Sequence, residues 1–305
     1  MLTIFLAIAP VIAIIMMGYS LRRSNILSIE IWNFNDSLVY WILMPALFFA
    51  KISAADLGGD LGDYAFLLYA GFFAAIFCGW LLGRGIQAPQ ASSLMQGSAR
   101  FNTFIGLAIA EAVYGTKGLQ LAVLGSALLV PVVNVTVVSL MARQLGGGGK
   151  SILIELVKNP LILSICAGVL FNLTGLNEVA VLHEVARILG NAALPIMLLC
   201  VGANLKLRGL SGSRKIIGFS IIGKFLINPI AVIFAALVLN TDPLFIQVAL
   251  IFAALPTGVA SYTLAREMQG DAPLMAAIIT MQTLLSFIIL PLTLLLGQVV
   301  FSWIE

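Results

Sequence analysis

Charged residues are scarce in this sequence. Asp, Glu, Lys and Arg together make up 10% of its 305 residues, and 61% of the residues are hydrophobic. A soluble domain carries about 25% charged residues, and this chain has too few polar groups to cover the surface of one. The composition therefore excludes a soluble globular fold and predicts that the protein lies in a lipid bilayer.

The residue types that build metal centres and catalytic sites are also rare. The sequence has one histidine and three cysteines, Cys78, Cys166 and Cys200, which fall in apolar stretches without disulfide or zinc spacing. It contains no H-E-x-x-H motif, no G-x-S-x-G elbow and no G-x-x-x-x-G-K-[ST] loop. No cluster of Lys and Arg resembles a nucleic-acid interface. We therefore predict that the protein is not an enzyme and has no metal, no cofactor and no nucleic-acid partner.

Long apolar runs dominate the rest of the chain. A membrane-spanning helix needs about 20 residues, and helices satisfy their backbone groups within each segment, as lipid requires. We therefore predict an all-α membrane protein with ten transmembrane helices. These spans lie near 2–21, 31–50, 64–83, 95–114, 119–142, 157–175, 181–204, 216–239, 245–266 and 273–301.

The basic residues of the predicted loops are unevenly distributed between the two sides of the membrane. The loops on one side hold only Lys51 and Lys117. The loops on the other side hold eleven basic residues: Arg22, Arg23, Arg84, Arg143, Lys150, Lys158, Lys206, Arg208, Arg214, Lys215 and Arg266. Loops rich in Lys and Arg face the cytoplasm. Both termini are therefore predicted on the outer, periplasmic side of the plasma (inner) membrane.

The two halves of the chain resemble each other. A run of four glycines at 146–149 separates a first five-helix repeat (1–145) from a second (157–305), with 146–156 as a Gly-rich cytoplasmic linker. Prolines recur at matching places, in the pairs Pro10 and Pro160, Pro45 and Pro195, and Pro131 and Pro291. Because each half has an odd number of spans, the second half enters the membrane from the opposite side. This 5+5 inverted repeat is typical of secondary transporters.

Small and polar residues interrupt spans 4 and 9, which occupy corresponding places in the two halves. A broken helix exposes N–H groups at the positive end of the helix dipole, where a carboxylate can bind. Small residues also serve to pack helices in membranes, and this alternative stays open. The candidate substrate-binding residues in these spans are Asn102, Thr103, Gly106, Pro256, Thr257, Gly258 and Ser261.

Three charged residues are further candidates, because charges inside a membrane are costly. Lys224, near the middle of span 8, either snorkels or pairs structurally, or it acts electrostatically on an anionic substrate or a gating carboxylate. Asp36 opens span 2 and is either a helix-start residue or an ion or proton site. Arg100 either anchors span 4 or helps to draw anions in.

Several short motifs resemble those of the auxin efflux carrier family, which includes plant PIN-FORMED proteins and bacterial transporters of small organic acids. The similarity covers essentially the whole chain. It rests on LMPALF (43–48), NTFIGL (102–107), KNP (158–160), LGNAA (189–193), KFL (224–226), ALPTG (254–258) and ARE (265–267).

The resemblance implies a scaffold domain and a transport domain, each with helices from both repeats, and elevator-type alternating access around a crossover of broken spans 4 and 9. It implies an organic anion near the crossover, with Asn102 as a hydrogen-bond donor to its carboxylate and Asn159 near the pocket. It also allows a homodimer. Where the family often has crossover prolines, this chain has Ala108 and Ser261, so the helix breaks are expected either there or at Gly106 and Gly258.

The predicted function is therefore secondary transport of a small organic anion, in the direction of efflux. The substrate is expected to be a dicarboxylate such as malate or malonate, or an indole carboxylate like auxin. The alternative is a proton- or sodium-coupled symporter or antiporter on the same inverted-repeat fold, in which Asp36 would be the deep acidic residue.

Overall fold

The computed structural model describes residues 2–55, 61–145, 158–174, 180–205, 213–239 and 241–302. All regular elements in these ranges are helical. They are α1 (Leu2–Arg23), α2 (Ile29–Leu38), the π-helical turn π1 (Val39–Leu43), α3 (Met44–Ser53), α4 (Leu61–Leu82), α5 (Ala88–Ala99), α6 (Thr103–Leu145), α7 (Pro160–Thr174), α8 (Ala180–Ala203), α9 (Arg214–Ile222), π2 (Gly223–Ile227), α10 (Asn228–Val238), α11 (Pro243–Ala253), α12 (Ala260–Glu267) and α13 (Ala272–Ser302).

Within the described ranges, seven helical segments are long and apolar enough to cross a membrane. Two shorter apolar helices, Pro160–Thr174 and Pro243–Ala253, accompany them. The chain is therefore an all-α, multi-pass membrane protein, as its composition predicts. One of the seven, Ala88–Leu145, has 58 residues, which is far more than the ~20 residues of a single crossing. The predicted linker 146–156 lies outside the described residues.

Prolines and one glycine account for the irregular turns. The turns π1 and π2 stand directly before helices that carry Pro45 and Pro229 in their first turn. A proline has no N–H to donate and its ring clashes with the carbonyl four residues earlier, so the preceding turn widens. In α6 the backbone leaves helical geometry at Gly115, where φ is 63°. That left-handed conformation favours glycine because it has no Cβ.

Two breaks divide the helices that correspond to predicted spans 4 and 9. The first, between α5 and α6, comprises Arg100 to Asn102, and the second, between α11 and α12, comprises Ala254 to Val259. Of the expected break positions, only Gly258 lies in a break. Gly106 and Ala108 are helical in α6 and Ser261 is helical in α12, which corrects the sequence-based expectation.

Local chemistry explains these positions. Asn102 caps the start of α6, so the helix is already regular when it reaches Gly106. Pro256 supplies no N–H and disfavours helical geometry at the preceding residue, Leu255, so the second break centres on Pro256.

The helices pack in two groups. The first contains α1, α2, π1, α3, α7 and α8, and the second contains α4, α5, α9, π2 and α10 to α13. The long α6 contacts both groups. In the first group, α1 and α8 approach so closely at Gly18 and Gly202 that a Cβ on either glycine would collide with the other helix's backbone. Each half of the chain contributes helices to each group.

Polar side chains are concentrated in the interior of the second group. Large hydrophobic side chains such as Phe77, Leu173 and Phe234 are exposed on the outside, where lipid can cover them. The buried polar residues near the two breaks are Ser92, Ser93, Gln96, Ser98, Asn102, Thr257, Ser261 and Gln282. This polar interior lies beside the candidate site, and Asn102 is the member of the set that lines it.

Candidate functional site

The two helix breaks are joined by backbone hydrogen bonding. The N–H of Asn102 in the first break donates to the carbonyl oxygen of Pro256 in the second, over 2.7 Å. The hydroxyl of Thr257 shares its single proton between Oε1 of Gln282 at 2.8 Å and the carbonyl oxygen of Gly97, at the end of α5, at 3.0 Å. These contacts supply partners for backbone groups that the interrupted helices leave unpaired. The breaks therefore form one polar junction.

Asn102 is the N-cap of α6. Its Oδ1 accepts hydrogen bonds from the backbone N–H groups of Phe104 and Ile105, at 3.1 and 3.3 Å. The side chain is only 2% exposed. Because the oxygen is bound to the helix, the amide nitrogen is the group that remains free to donate to a ligand.

Asn159 has the same role at the start of α7. Its Oδ1 accepts hydrogen bonds from the N–H groups of Leu161 and Ile162, at 2.9 and 3.4 Å. Pro160 occupies the first helical position, where a missing N–H costs nothing because that group has no partner within the helix. The sequence Asn-Pro thus begins α7 with a capping amide.

A cavity of about 970 Å³ separates these two caps. The two helix breaks form one side of the cavity, and the ends of α2, α7 and α8 form the other side. Its polar lining residues are Asp36, Ser37, Tyr40, Arg100, Asn102, Thr103, Asn134, Lys158, Asn159, Asn204, Thr263 and Glu267. Gly258 lines it as well.

Six of the residues singled out from the sequence therefore share one cavity. They are Asp36, Arg100, Asn102, Thr103, Asn159 and Gly258. They come from α2, from both breaks and from the starts of α6 and α7, which are far apart in the chain. The volume is large enough for a small organic molecule, since ligand pockets commonly measure about 300–1,000 Å³.

Four charged residues line this cavity, and they carry both signs. The Nη1 atom of Arg100 is buried and has no hydrogen-bond partner among the described residues. The Oδ2 of Asp36 accepts a hydrogen bond from the Nδ2 of Asn204, over 3.2 Å. Lys158 and Glu267 are exposed. In the part of the chain that the structure describes, none of the four forms a salt bridge.

The other predicted residues do not line the cavity. Gly106 faces the side chain of Leu255 in the opposite break. Pro256 provides the carbonyl that binds Asn102. Thr257 is fully buried and its polar groups are hydrogen-bonded. Ser261 is fully buried, and its hydroxyl has no hydrogen-bond partner among the described residues. These residues shape the junction behind the cavity wall.

Lys224 also lies away from the cavity. The side chain is 0% exposed, and its Nζ is 3.5 Å from the carbonyl oxygen of Phe252, in the last turn of α11. It also lies 6.0 Å from the ring centre of Phe101, in the first break. The ammonium is thus within reach of the negative end of a helix dipole and an aromatic face, both of which favour a cation.

Sequence reasoning missed several residues of the site. Asn134 and Gln282 are amides within apolar runs, and that alone could have identified them. Lys158 enters the sequence analysis only as a basic loop residue and as part of the KNP motif, without a role in binding, and nothing in the sequence indicates that Asn204 meets Asp36. Gln282 accepts from the N–H and hydroxyl of Thr257, at 2.9 and 2.8 Å, and donates to the carbonyl of Gly97 at 2.8 Å.

Membrane-spanning helices that are broken beside a cavity with polar lining residues are typical of a membrane transport protein. The chain belongs to the family described as "Membrane transport protein", which matches residues 3–294.

Related proteins have similar lengths. A protein of Methanothermobacter thermautotrophicus named "Uncharacterized transporter" is 26% identical over 294 residues, which cover 93% of this chain and 95% of that protein. A Rhizobium meliloti protein named "Putative malonate transporter" is 27% identical over 302 residues, covering 92% of this chain and 91% of that protein.

A plant relative is similar over a shorter segment. A protein of Oryza sativa subsp. japonica named "Probable auxin efflux carrier component 9" is 37% identical over 79 residues, which cover 26% of this chain and 18% of that protein. Together these relationships confirm the predicted membership of the auxin efflux carrier family. They also confirm that the protein is a membrane transporter and not an enzyme.

Proposed function

We propose that the protein is a secondary transporter that moves small organic anions out of the cell by elevator-type alternating access. The observation that carries this proposal is the cavity beside the joined breaks. There the capping amide of Asn102 and the unpartnered guanidinium of Arg100 provide donors for a carboxylate. The candidate substrates are dicarboxylates such as malate or malonate, and indole carboxylates.

Ten membrane crossings are proposed from the described helices. Single crossings are assigned to α1, α2 with α3, α4, α7, α8, α9 with α10, and α13. Two more are assigned to the interrupted pairs α5 with the first part of α6, and α11 with α12. The part of α6 after Gly115 gives the tenth. This count supports a 5+5 inverted repeat, with the interrupted pairs at corresponding places.

The proposed orientation places both termini outside and opens the cavity to the cytoplasm. Lys158 belongs to the side with the basic loops, and Glu267 directly follows Arg266 on that side. Asp36 lies in α2, which follows the loop that begins after Arg22 and Arg23. Loops rich in basic residues remain in the cytoplasm, so the proposed location is the plasma (inner) membrane with an inward-facing cavity.

The two packing groups support an elevator mechanism. We assign the first group of helices as the scaffold and the second, which contains both breaks, as the transport domain. The cavity lies between them, since Asn159 belongs to the first group and Gly258 to the second. Movement of the second group would carry a bound anion across the membrane while the joined breaks stay together.

The membrane potential favours the efflux direction. A potential of 100 mV contributes about 2.3 kcal/mol for each charge moved, so an anion leaves a negative interior without a coupled ion. Uptake against this potential would require coupling.

The test is charge movement in proteoliposomes on a solid-supported membrane. We would apply jumps of malate, malonate or indole-acetate at constant pH without sodium. The proposal predicts a saturable current for at least one anion. Protein-free liposomes are the control, and a current of equal size in them would remove the evidence for transport.

The second candidate is a proton- or sodium-coupled symporter or antiporter. It is favoured by Asp36, whose carboxylate lines the cavity and accepts a hydrogen bond from Asn204. This candidate predicts no current without sodium or a proton gradient, and a current when either is restored. Asp36→Asn should then abolish the coupled current, whereas uncoupled anion transport should survive this change.

A further inference from the structure

The cavity contains two arrangements of the same chemistry. At the start of α6, Arg100 lies two residues before the capping residue Asn102, and at the start of α7, Lys158 lies directly before the capping residue Asn159. All four residues line the same cavity. Each arrangement combines a cation, a capping amide and the N-terminus of a long helix, which together suit a negatively charged ligand.

The amides are available to a ligand. Each Oδ1 accepts from its own helix, which leaves each amide nitrogen with two hydrogens to donate. In the ranges that the structure describes, neither Asn102 Nδ2 nor Asn159 Nδ2 has a hydrogen-bond partner. Asn102 lines the cavity although only 2% of its surface is exposed, so the cavity is where its amide nitrogen can meet an acceptor.

The cations are available as well. Arg100 has a buried Nη1 without a partner, and neither Arg100 nor Lys158 has an ion pair among the described residues. Asp36 and Glu267, the acidic residues of the cavity, form no ion pair with either cation among the described residues. The buried Nη1 of Arg100 requires an acceptor, and a ligand carboxylate can supply one.

Resting on the proposed anion transport, we propose that this cavity selects small dicarboxylates, with one carboxylate bound at Arg100 and Asn102 and the other at Lys158 and Asn159. The two anchors belong to different parts of the fold. Lys158 and Asn159 directly precede α7, which belongs to the first packing group. Arg100 and Asn102 lie in the first break, which belongs to the second group. A dicarboxylate thus contacts both groups in this arrangement and leaves Lys158 and Asn159 when the second group moves, whereas a monocarboxylate engages only one anchor.

The test separates the two carboxylates of the ligand. We would measure affinities of the purified full-length protein for malonate, succinate and glutarate, for their monoamides malonamate, succinamate and glutaramate, and for indole-3-acetate. Each monoamide keeps the length of its parent and loses one charge. Wild-type protein should bind at least one dicarboxylate about tenfold more tightly than its monoamide, because a charged hydrogen bond contributes more than a neutral one.

The variant Lys158→Gln locates the second carboxylate. It should weaken the preferred dicarboxylate about tenfold and leave its monoamide nearly unchanged, so that the selectivity disappears. Lys158→Arg should restore it. The matched control is Lys215→Gln, which removes an exposed lysine of α9 that does not line the cavity. It should leave both affinities at the wild-type values.

Three results would overturn the inference. A monoamide or indole-3-acetate that binds wild-type protein as tightly as the best dicarboxylate would show that one carboxylate suffices. An equal loss for dicarboxylate and monoamide in Lys158→Gln would assign Lys158 to general electrostatics. Both of these results leave anion transport standing. Failure of every carboxylate to bind would instead overturn the proposed function together with this inference.

Discussion

Gln282 of α13 holds Thr257 of the second break through two hydrogen bonds to a single oxygen. Its Oε1 accepts from the backbone N–H of Thr257 at 2.9 Å and from the hydroxyl at 2.8 Å. Its Nε2 donates to the carbonyl of Gly97 at 2.8 Å. Gln282 is 0% exposed. One amide therefore connects the broken helix, the end of α5 and the last helix, and it fixes the junction behind the cavity.

Replacing Gln282 with leucine should destabilise the protein. The change leaves the buried N–H of Thr257 without its acceptor, at a cost on the order of 1–3 kcal/mol. We would measure the free energy of unfolding in mixed detergent micelles. Gln298→Leu is the matched control, because Gln298 is exposed on the same helix. Equal stability of the two variants would show that the Gln282 amide does not hold the junction.

Two glycines at the junction should differ in their tolerance of alanine. A Cβ at Gly258 would lie 2.7 Å from the backbone carbonyl oxygen of Phe101, so the two breaks would have to separate. A Cβ at Gly106 would lie 2.7 Å from Cδ1 of Leu255, a side-chain end that can rotate away. Gly258→Ala should therefore reduce transport at least about tenfold and Gly106→Ala less than about twofold. Initial transport rates in proteoliposomes at matched protein content measure both. A tolerated Gly258→Ala would contradict the close approach of the breaks.

Substitutions of Asn102 should separate capping from ligand binding. Serine keeps an oxygen that can cap α6, whereas alanine does not, so Asn102→Ala should lose about 0.5–2 kcal/mol of unfolding free energy relative to Asn102→Ser. Both variants lack the amide donor and should weaken anion binding to a similar degree. Unfolding and binding titrations on the same preparations give the two quantities. Wild-type affinity in either variant would remove the Asn102 amide from the ligand site.

Lys224→Gln should slow transport without altering the affinity for the anion. The ammonium lies outside the cavity, yet it contacts Phe252 at the end of α11 and faces Phe101 in the first break. We therefore expect it to act on the movement of the broken helices. The measurements are the binding affinity and the transport rate at saturating anion. Lys117→Gln, at an exposed lysine, is the control. A normal rate would assign Lys224 to packing alone, and a weakened affinity would contradict the indirect role.

Much of the candidate site could be predicted from the sequence because its chemistry is unusual in a membrane. Asn102, Arg100 and Asp36 are polar or charged residues in or beside apolar runs, and such residues tend to mark functional sites. Lys224 met the same criterion but lies behind the cavity wall. A charged residue within a membrane span is a candidate for a functional role, but its position in the sequence does not show which surface its side chain faces. Asn159 was identified through the family resemblance alone.

The positions of the helix breaks could be predicted only in part. Pro256 and Gly258 disrupt a helix by their own covalent structure, so the second break follows from the sequence. The first break has no proline, and it depends on the hydrogen bond from Asn102 to the carbonyl of Pro256. A contact between residues so distant in the chain leaves no local signal.

The sequence by itself determined that the protein is an all-helical membrane protein, because composition and hydrophobic length follow from the bilayer as solvent. It also determined which helix ends carry capping amides, since capping is a local interaction. The tertiary structure decided that Arg100 with Asn102 and Lys158 with Asn159 share one cavity, and that Thr257 depends on Gln282. These relationships arise from packing between distant helices, in which the position of each side chain depends on all its neighbours.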